Sequence, residues 1–134
     1  FRNELVQAAK EEISKRSELN DKESTERATA IAISAIKYSM LKQDTNKVIV
    51  FNKEESIRFE GDTGPYLLYS LARANSILSK GKLTKAFKVD KIESHERLLI
   101  NELSKFPELV LECSKTFNVN NIAHYAYNLS QTFN

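Results

Sequence analysis

A short run of turn-forming residues constrains the fold of this chain more than any other segment. In order it reads Gly61-Asp62-Thr63-Gly64-Pro65. Glycine adopts backbone angles that are closed to other residues, Asp or Thr side chains cap the free amides at a helix start, and proline suits the first helical position. A helix is therefore predicted to begin near Pro65. The Lys80-Gly81 pair is a typical helix end, so this helix should stop near residue 80.

Three side chains on that helix could bind nucleic acid. Tyr66, Tyr69 and Arg73 are spaced three and four residues apart, so they share one helix face. Two phenol rings and a guanidinium in a row can stack on unpaired bases and hold a phosphate. Considered by residue type alone, tyrosines on such a stripe are more often core residues with their hydroxyls at the rim.

Apolar periodicity predicts helices along most of the remaining chain. They are expected at about residues 2–19 and 24–41, after Ser94, from Pro107 and over the last thirteen or so residues, by the 3.6-residue repeat. Two helices should bury a wide apolar face, made of Leu67, Leu71, Ala74, Ile77 and Leu78 in one and of Leu98, Leu99, Ile100, Leu103 and Phe106 in the next. The run at residues 48–51 is either a strand or an extended buried segment. The predicted fold is an all-α bundle of five to six helices, to which residues 48–51 could add one short extended segment.

Composition limits the class of protein. A chain of 134 residues with 41% hydrophobic residues can bury one real core, and a formal net charge of +2 gives no strong overall field. Contact with RNA must therefore come from a local patch. The densest positive run is at residues 80–91, where Lys82 and Lys85 face either phosphates or only solvent.

The sequence lacks the residue patterns that are typical of catalytic sites, metal sites and membrane spans. Cys113 is the one cysteine and lies in an apolar helical run, so it is expected to be buried rather than catalytic. The two histidines are far apart and His124 is expected at the surface, so neither a metal site nor an acid or base is indicated. We find no phosphate loop, no nucleophile elbow, no signal peptide and no apolar run long enough for a membrane, and a cytoplasmic location is expected.

The literal sequence around the predicted helix start resembles a known family. Residues 60–73 are similar to the phrase that opens the anticodon-binding domain of arginyl-tRNA synthetases, with Leu68 in place of the usual Gln and Ser70 in place of the usual Ala. Residues 35–41 resemble the family's Ala-(Ile/Val)-Lys-Tyr-(x)2-Leu segment, residues 50–57 resemble the bridge between the two, and residues 122–129 are similar to a late helix. The phrases occur in the family's order and spacing.

This resemblance implies a domain organisation and a function. Residues 1–59 would be the helical tail of a catalytic domain with its connection, and residues 60–134 most of an anticodon-binding domain, incomplete at its C-terminus. The chain begins with Phe1 rather than Met, which suggests a fragment. The whole enzyme would join arginine to its tRNA with ATP and magnesium. The family's His-(x)-Gly-His and Lys-Met-Ser-Lys-Ser signatures are absent from this chain, so it is predicted to be inactive alone.

By the same resemblance, the chain would bind the anticodon stem-loop of an arginine tRNA. Tyr66, Tyr69 and Arg73 take the family's anticodon-contacting positions, and Gly64 either presents an amide to a phosphate or simply satisfies the turn. The missing Gln at position 68 removes a polar group that relatives can use for a base. Two alternatives remain, a helical protein-interaction module without an RNA role and the anticodon domain of another class I synthetase.

Overall fold

The computed structural model of the protein describes residues 1–81 and 91–134. Those residues form helices and no strand, which confirms the predicted all-α class. Six helices have at least eleven residues and α3 is a single turn. The helices are α1 (Arg2–Ser14), α2 (Asp21–Leu41), α3 (Lys53–Ser56), α4 (Gly64–Lys80), α5 (Ser94–Ser104), α6 (Phe106–Thr116) and α7 (Asn120–Phe133).

The chain divides into two compact units, Phe1–Leu68 and Tyr69–Asn134. The division falls inside α4, whereas the predicted boundary between a catalytic tail and an anticodon-binding domain lies at residues 59 and 60. A compact unit is defined by packing and the predicted domains by evolutionary origin. The domain boundary at residues 59 and 60 therefore stays a prediction.

The first unit is built on the packing of α1 against α2. Small alanine side chains at the contact let the two backbones approach closely, and branched residues fill the remaining space. The two helices bury Leu5, Ala9, Ile13, Ala28, Ile31, Ala32, Ala35 and Tyr38. They recur at the helical spacing from which both helices were predicted. Met40, in the last turn of α2, is exposed.

The break between α1 and α2 has a local cause. The side chain of Asn20 accepts a hydrogen bond from the backbone amide of Glu23 at 2.9 Å, which makes Asn20 the N-cap of α2. The second helix consequently begins at Asp21, three residues earlier than predicted. The first helix ends at Ser14, earlier than the predicted residue 19.

The apolar run at residues 48–51 is neither a strand nor a fully buried segment. Val48 is 89% exposed and Val50 is 87% exposed, while Phe51 packs beside the α1–α2 core. A strand needs a neighbouring strand to satisfy its amides, and the described residues supply none. Of the predicted apolar run, only Phe51 contributes to the core in this way.

An ion pair joins α1 to the start of α3. Lys53 Nζ lies 2.5 Å from a carboxylate oxygen of Glu4. The hydrogen bond and the charge of Lys53, followed by the charge of the N-terminal ammonium, hold the pKa of Glu4 below its ordinary value. The carboxylate form is therefore favoured in the folded protein relative to the unfolded chain.

We predict a small stability effect of this pair on the acidic side. A lowered pKa stabilises the fold above the ordinary glutamate pKa, and the gain is lost as the pH falls through the pKa of the folded state. The difference in melting temperature between Glu4→Gln and the parent should shrink between about pH 6 and pH 3, and Glu18→Gln removes the same charge elsewhere as a control. An unchanged difference across that range would show that the ion pair has no role in stability.

In the second unit, α5 packs on α6 and α7, and α6 also packs on α7. A capping box starts α5, with the Glu93 amide bound to the Glu96 carboxylate at 2.8 Å, and Pro107 lies in the first turn of α6 as predicted. Phe117 ends α6 in the left-handed conformation, with φ of 58°. Cys113 is buried, as predicted, and its thiol donates to the backbone carbonyl of Asn118 at 3.3 Å.

The wide buried faces predicted for α4 and α5 are wrong for most of their residues. The side chains that are instead exposed are Leu71, Ile77, Leu78, Leu98, Ile100, Leu103 and Phe106. The remaining three, Leu67, Ala74 and Leu99, are only partly buried. Among the described residues, the close helix pairs of this unit are α5–α6, α5–α7 and α6–α7, so α4 has no close partner there and α5 is covered only on the sides that face α6 and α7.

Candidate nucleic-acid interface

A tight turn sets the start of α4. Gly61 has φ of +78°, a conformation that favours glycine, and the amide of Thr63 bonds to the carbonyl of Gly61 at 2.9 Å. The Thr63 hydroxyl donates to the Arg58 carbonyl at 2.6 Å and accepts from the Tyr66 amide at 3.3 Å. Thr63, rather than Asp62, is thus the residue that caps the helix, which begins at Gly64, one residue before the predicted start.

Gly64 lies where α4 touches the backbone of α2. A Cβ atom added at this position would lie 2.1 Å from the carbonyl oxygen and 2.4 Å from the carbonyl carbon of Ser34. Gly64 is also buried, as is the adjacent Pro65. Neither of the two predicted reasons for a glycine here included this contact, and the close approach of the two backbones accounts for the glycine directly. A contact between its amide and a phosphate stays a prediction.

The predicted stripe lies on α4, at positions i, i+3 and i+7 of one helix. Tyr66 belongs to the first unit and is half-buried, while Tyr69 and Arg73 belong to the second and are exposed. Tyr69 has 48% of its surface accessible. A ring that is half accessible can offer a face to a base, whereas a fully buried tyrosine could not.

Two residues of α4 bind the end of α7. Arg73 donates a hydrogen bond to the backbone carbonyl of Asn134 at 3.3 Å, and the buried Ser70 hydroxyl accepts one from the Asn134 side-chain amide at 2.5 Å. The guanidinium has five N–H donors in a planar fork. One bond to a carbonyl leaves Arg73 able to bind an anion with other donors while it is held in place.

Leu68, one of the two residues that depart from the family's phrase, has a structural explanation. Leu68 packs against the buried cluster formed by Ala9, Ile13, Ala28 and Ile31. A glutamine at this position would bring an amide to the edge of an apolar cluster. An apolar side chain therefore suits this position better than a glutamine would.

Lys82 and Lys85, the predicted phosphate-facing lysines, lie outside the described residues. Their contacts with RNA stay predictions. Lys80, at the start of the same positive run, is exposed in the last turn of α4.

Other types of site are not assembled in the described part of the chain. No group of three or more His, Cys, Asp or Glu side chains there could hold a metal ion, and His124 is exposed. A cavity of about 620 Å³ beside α1 is lined by charges of both signs, and the Arg16 guanidinium lies 4.9 Å from the Phe59 ring centre at its rim. Of the helices described, none is both long and apolar enough to cross a membrane.

One set of contacts near the interface was missed by sequence reasoning. The carboxylate of Asp62 binds the side chains of Tyr38, in the last turn of α2, and of Lys42, the C-cap of that helix. The only sequence signal is the four-residue spacing of Tyr38 and Lys42, which places them on one helix face. Because Asp62 is twenty-four residues from Tyr38, no local pattern links them.

Comparison with known proteins places the chain in a family. Residues 67–134 match the family described as DALR anticodon binding domain. The arginine–tRNA ligase of Pyrococcus abyssi is 37% identical over 98% of this chain and 22% of its own length, and that of Thermus thermophilus is 40% identical over 85% and 19%. The solved structure of Thermus thermophilus arginyl-tRNA synthetase matches with a TM-score of 0.89 and 34% identity, over 98% of this chain and 22% of that one.

These matches confirm the resemblance predicted from residues 35–73. The chain spans only about a fifth of the length of these relatives. The match to the family covers half of the chain, from the first turns of α4 to the last residue. By sequence and by fold, this chain belongs to the DALR anticodon binding domain family and is similar throughout to arginyl-tRNA synthetases.

Proposed function

We propose that this chain binds the anticodon stem-loop of an arginine tRNA through the exposed side of α4. The observation that carries the proposal is the half-exposed ring of Tyr69 on the helix that also bears Tyr66 and Arg73, in a chain of the anticodon-binding family. Tyr69 offers a ring face to an unpaired base. Arg73 offers charged N–H donors to a phosphate or a base edge.

The wider activity is a proposal for the whole protein. The relatives are named as arginine–tRNA ligases, and this chain would serve such a ligase by holding the tRNA. In such a ligase, arginine, ATP and magnesium would bind to a region outside the fifth of the sequence that this chain matches. The cytoplasm, where translation takes place, is the proposed location.

The first test compares two RNA hairpins at several salt concentrations. One carries an arginine anticodon loop, and the other has the same stem with a scrambled loop. A preference for the arginine loop that persists as salt rises is expected, since base contacts do not release counterions as phosphate contacts do. Equal and steeply salt-dependent binding of both hairpins would contradict anticodon recognition and leave only a general electrostatic attraction.

Replacement of Arg73 with glutamine tests the anionic contact. If Arg73 binds a phosphate, the variant should bind both hairpins more weakly, and the slope of log affinity against log salt should fall by roughly one unit. Arg97→Gln, which removes an exposed arginine from α5, is the matched control for net charge. Because Arg73 also binds the end of α7, the melting temperature of each variant must be measured beside its affinity. Equal slopes for the two variants would exclude a specific role for Arg73.

A further inference from the structure

Asp62 is bound by Tyr38, in the last turn of α2, and by Lys42, the C-cap residue that follows this helix. The Tyr38 hydroxyl donates to its Oδ1, and Lys42 Nζ lies 3.1 Å from its Oδ2 and 2.7 Å from its backbone carbonyl oxygen. Lys42 has helical backbone angles and its amide bonds to the Tyr38 carbonyl, so the two side chains lie one turn apart at the end of α2. Both carboxylate oxygens and the main chain of Asp62 are thus attached to the C-terminal end of α2 and its cap residue.

This attachment is partly shielded from water. Tyr38 is only 5% exposed, and the Lys42 side chain is less exposed than that of Asp62. The Lys42 ammonium also lies 5.5 Å from the centre of the Tyr38 ring. Hydrogen bonds to charged groups in such surroundings are stronger than those between exposed neutral groups. Tyr38 is too deeply buried to contact RNA, so its hydroxyl acts within the protein.

The attached residue directly precedes the cap of α4. Asp62 is followed by Thr63, whose hydroxyl accepts from the Tyr66 amide, and by Gly64, which packs on the α2 backbone. Three consecutive residues therefore fix the first turn of α4 by a side-chain bond, a cap and a backbone contact. Of these three contacts, only that of Asp62 includes hydrogen bonds between two side chains. A substitution at either partner can therefore remove them.

We propose that Tyr38, Lys42 and Asp62 are positioning residues that fix the start of α4 and so hold the helix ready for RNA. The inference rests on the proposed function, because it assigns these residues a purpose in presenting Tyr66 and its helix to the anticodon loop. None of the three touches the RNA. They pre-organise the start of α4, which lowers the free-energy cost of ordering this turn when RNA binds.

The test removes single groups and follows two quantities. Tyr38→Phe deletes only the hydroxyl, and Asp62→Ala deletes the whole acceptor. Hydrogen exchange of the Tyr66 and Leu67 amides reports the first turn of α4 without RNA, and the affinity for the arginine anticodon hairpin reports binding. In Tyr38→Phe, loss of one hydrogen bond should accelerate exchange and weaken binding by about fivefold each, with larger effects in Asp62→Ala.

Two further variants separate positioning from a general loss of stability. Tyr125→Phe is the matched control, because the Tyr125 hydroxyl also donates a partly buried hydrogen bond, to the Glu102 carbonyl at 3.0 Å, in the second unit. It should lower the melting temperature without changing the exchange of the two amides. Asp62→Asn keeps an oxygen that accepts from Tyr38, so it should recover most of what Asp62→Ala loses.

Each experimental outcome either supports or refutes the positioning role of Tyr38, Lys42 and Asp62. Unchanged amide exchange in both Tyr38→Phe and Asp62→Ala would overturn it, as would faster exchange with wild-type RNA affinity. Equal loss of affinity in Tyr125→Phe would also overturn it, since that result would reflect stability alone. Failure of the parent chain to prefer the arginine hairpin would instead refute the proposed function, and the exchange data would still decide whether the three residues hold the start of α4.

Discussion

Replacing Gly64 with alanine is expected to lower the free energy of unfolding by about 3 kcal/mol or more, the upper end of the cost of overpacking. The added methyl would lie 2.1 Å from the Ser34 carbonyl oxygen and 2.9 Å from the Ala35 amide nitrogen. Those atoms belong to the backbone of a long helix that carries much of the core, so neither can move aside without shifting α2 or α4. The melting temperature should fall by roughly 12 °C or more, on the scale of 4–8 °C per kcal/mol for a small domain.

Gly61→Ala is the matched control for this substitution. Gly61 has φ of +78° and no atom within 4 Å of an added Cβ, so alanine there meets only backbone strain. That strain costs about 1–2 kcal/mol. Circular dichroism melts of both variants should therefore rank Gly64→Ala well below Gly61→Ala. If the two variants melted at the same temperature, close packing of α4 on α2 would not be the reason for the glycine at position 64.

The start of α4 could be predicted from sequence because its signals are local. A turn glycine, a capping threonine and a proline in the first turn each act within a few residues, and the helix begins at Gly64, one residue from the prediction. The core of α1 and α2 was predictable for a related reason. Their small and branched residues recur at helical spacing, and each helix finds the other as its partner.

The buried faces of α4 and α5 could not be predicted in the same way. Periodicity shows that Leu71 and Leu98 lie on apolar faces, but it does not show whether another helix covers them. In the described structure both side chains are exposed. A periodic pattern therefore predicts a helix better than it predicts burial.

The residues of the candidate site could be predicted from sequence, but the hydrogen bonds that hold its helix in place could not. The family's phrase identified Tyr66, Tyr69 and Arg73, whose positions on one helix follow from spacing alone. The bonds from Tyr38 and Lys42 to Asp62, and from Asn134 to Ser70, join residues twenty or more positions apart. Contacts of this kind arise only when the helices pack, so no local pattern contains them.

Tyr69 is the residue whose replacement should most affect RNA binding with least effect on the fold. If a base stacks on its ring, Tyr69→Ala should weaken binding of the arginine anticodon hairpin by about 1–3 kcal/mol, or roughly 5- to 150-fold. Tyr69→Phe keeps the ring and should retain most of that affinity if stacking dominates. A large loss in the phenylalanine variant would assign the contact to the hydroxyl instead.

The stability of the same variants decides whether these affinities can be interpreted. Tyr69 is 48% exposed, so its truncation should change the free energy of unfolding by less than about 1 kcal/mol. Leu71→Ala is the matched control, because Leu71 is 57% exposed on the same helix and has no ring or polar group to offer a base. A core role for Tyr69 predicts the reverse result, in which Tyr69→Ala melts well below Leu71→Ala. Wild-type affinity in a stably folded Tyr69→Ala variant would remove Tyr69 from the interface.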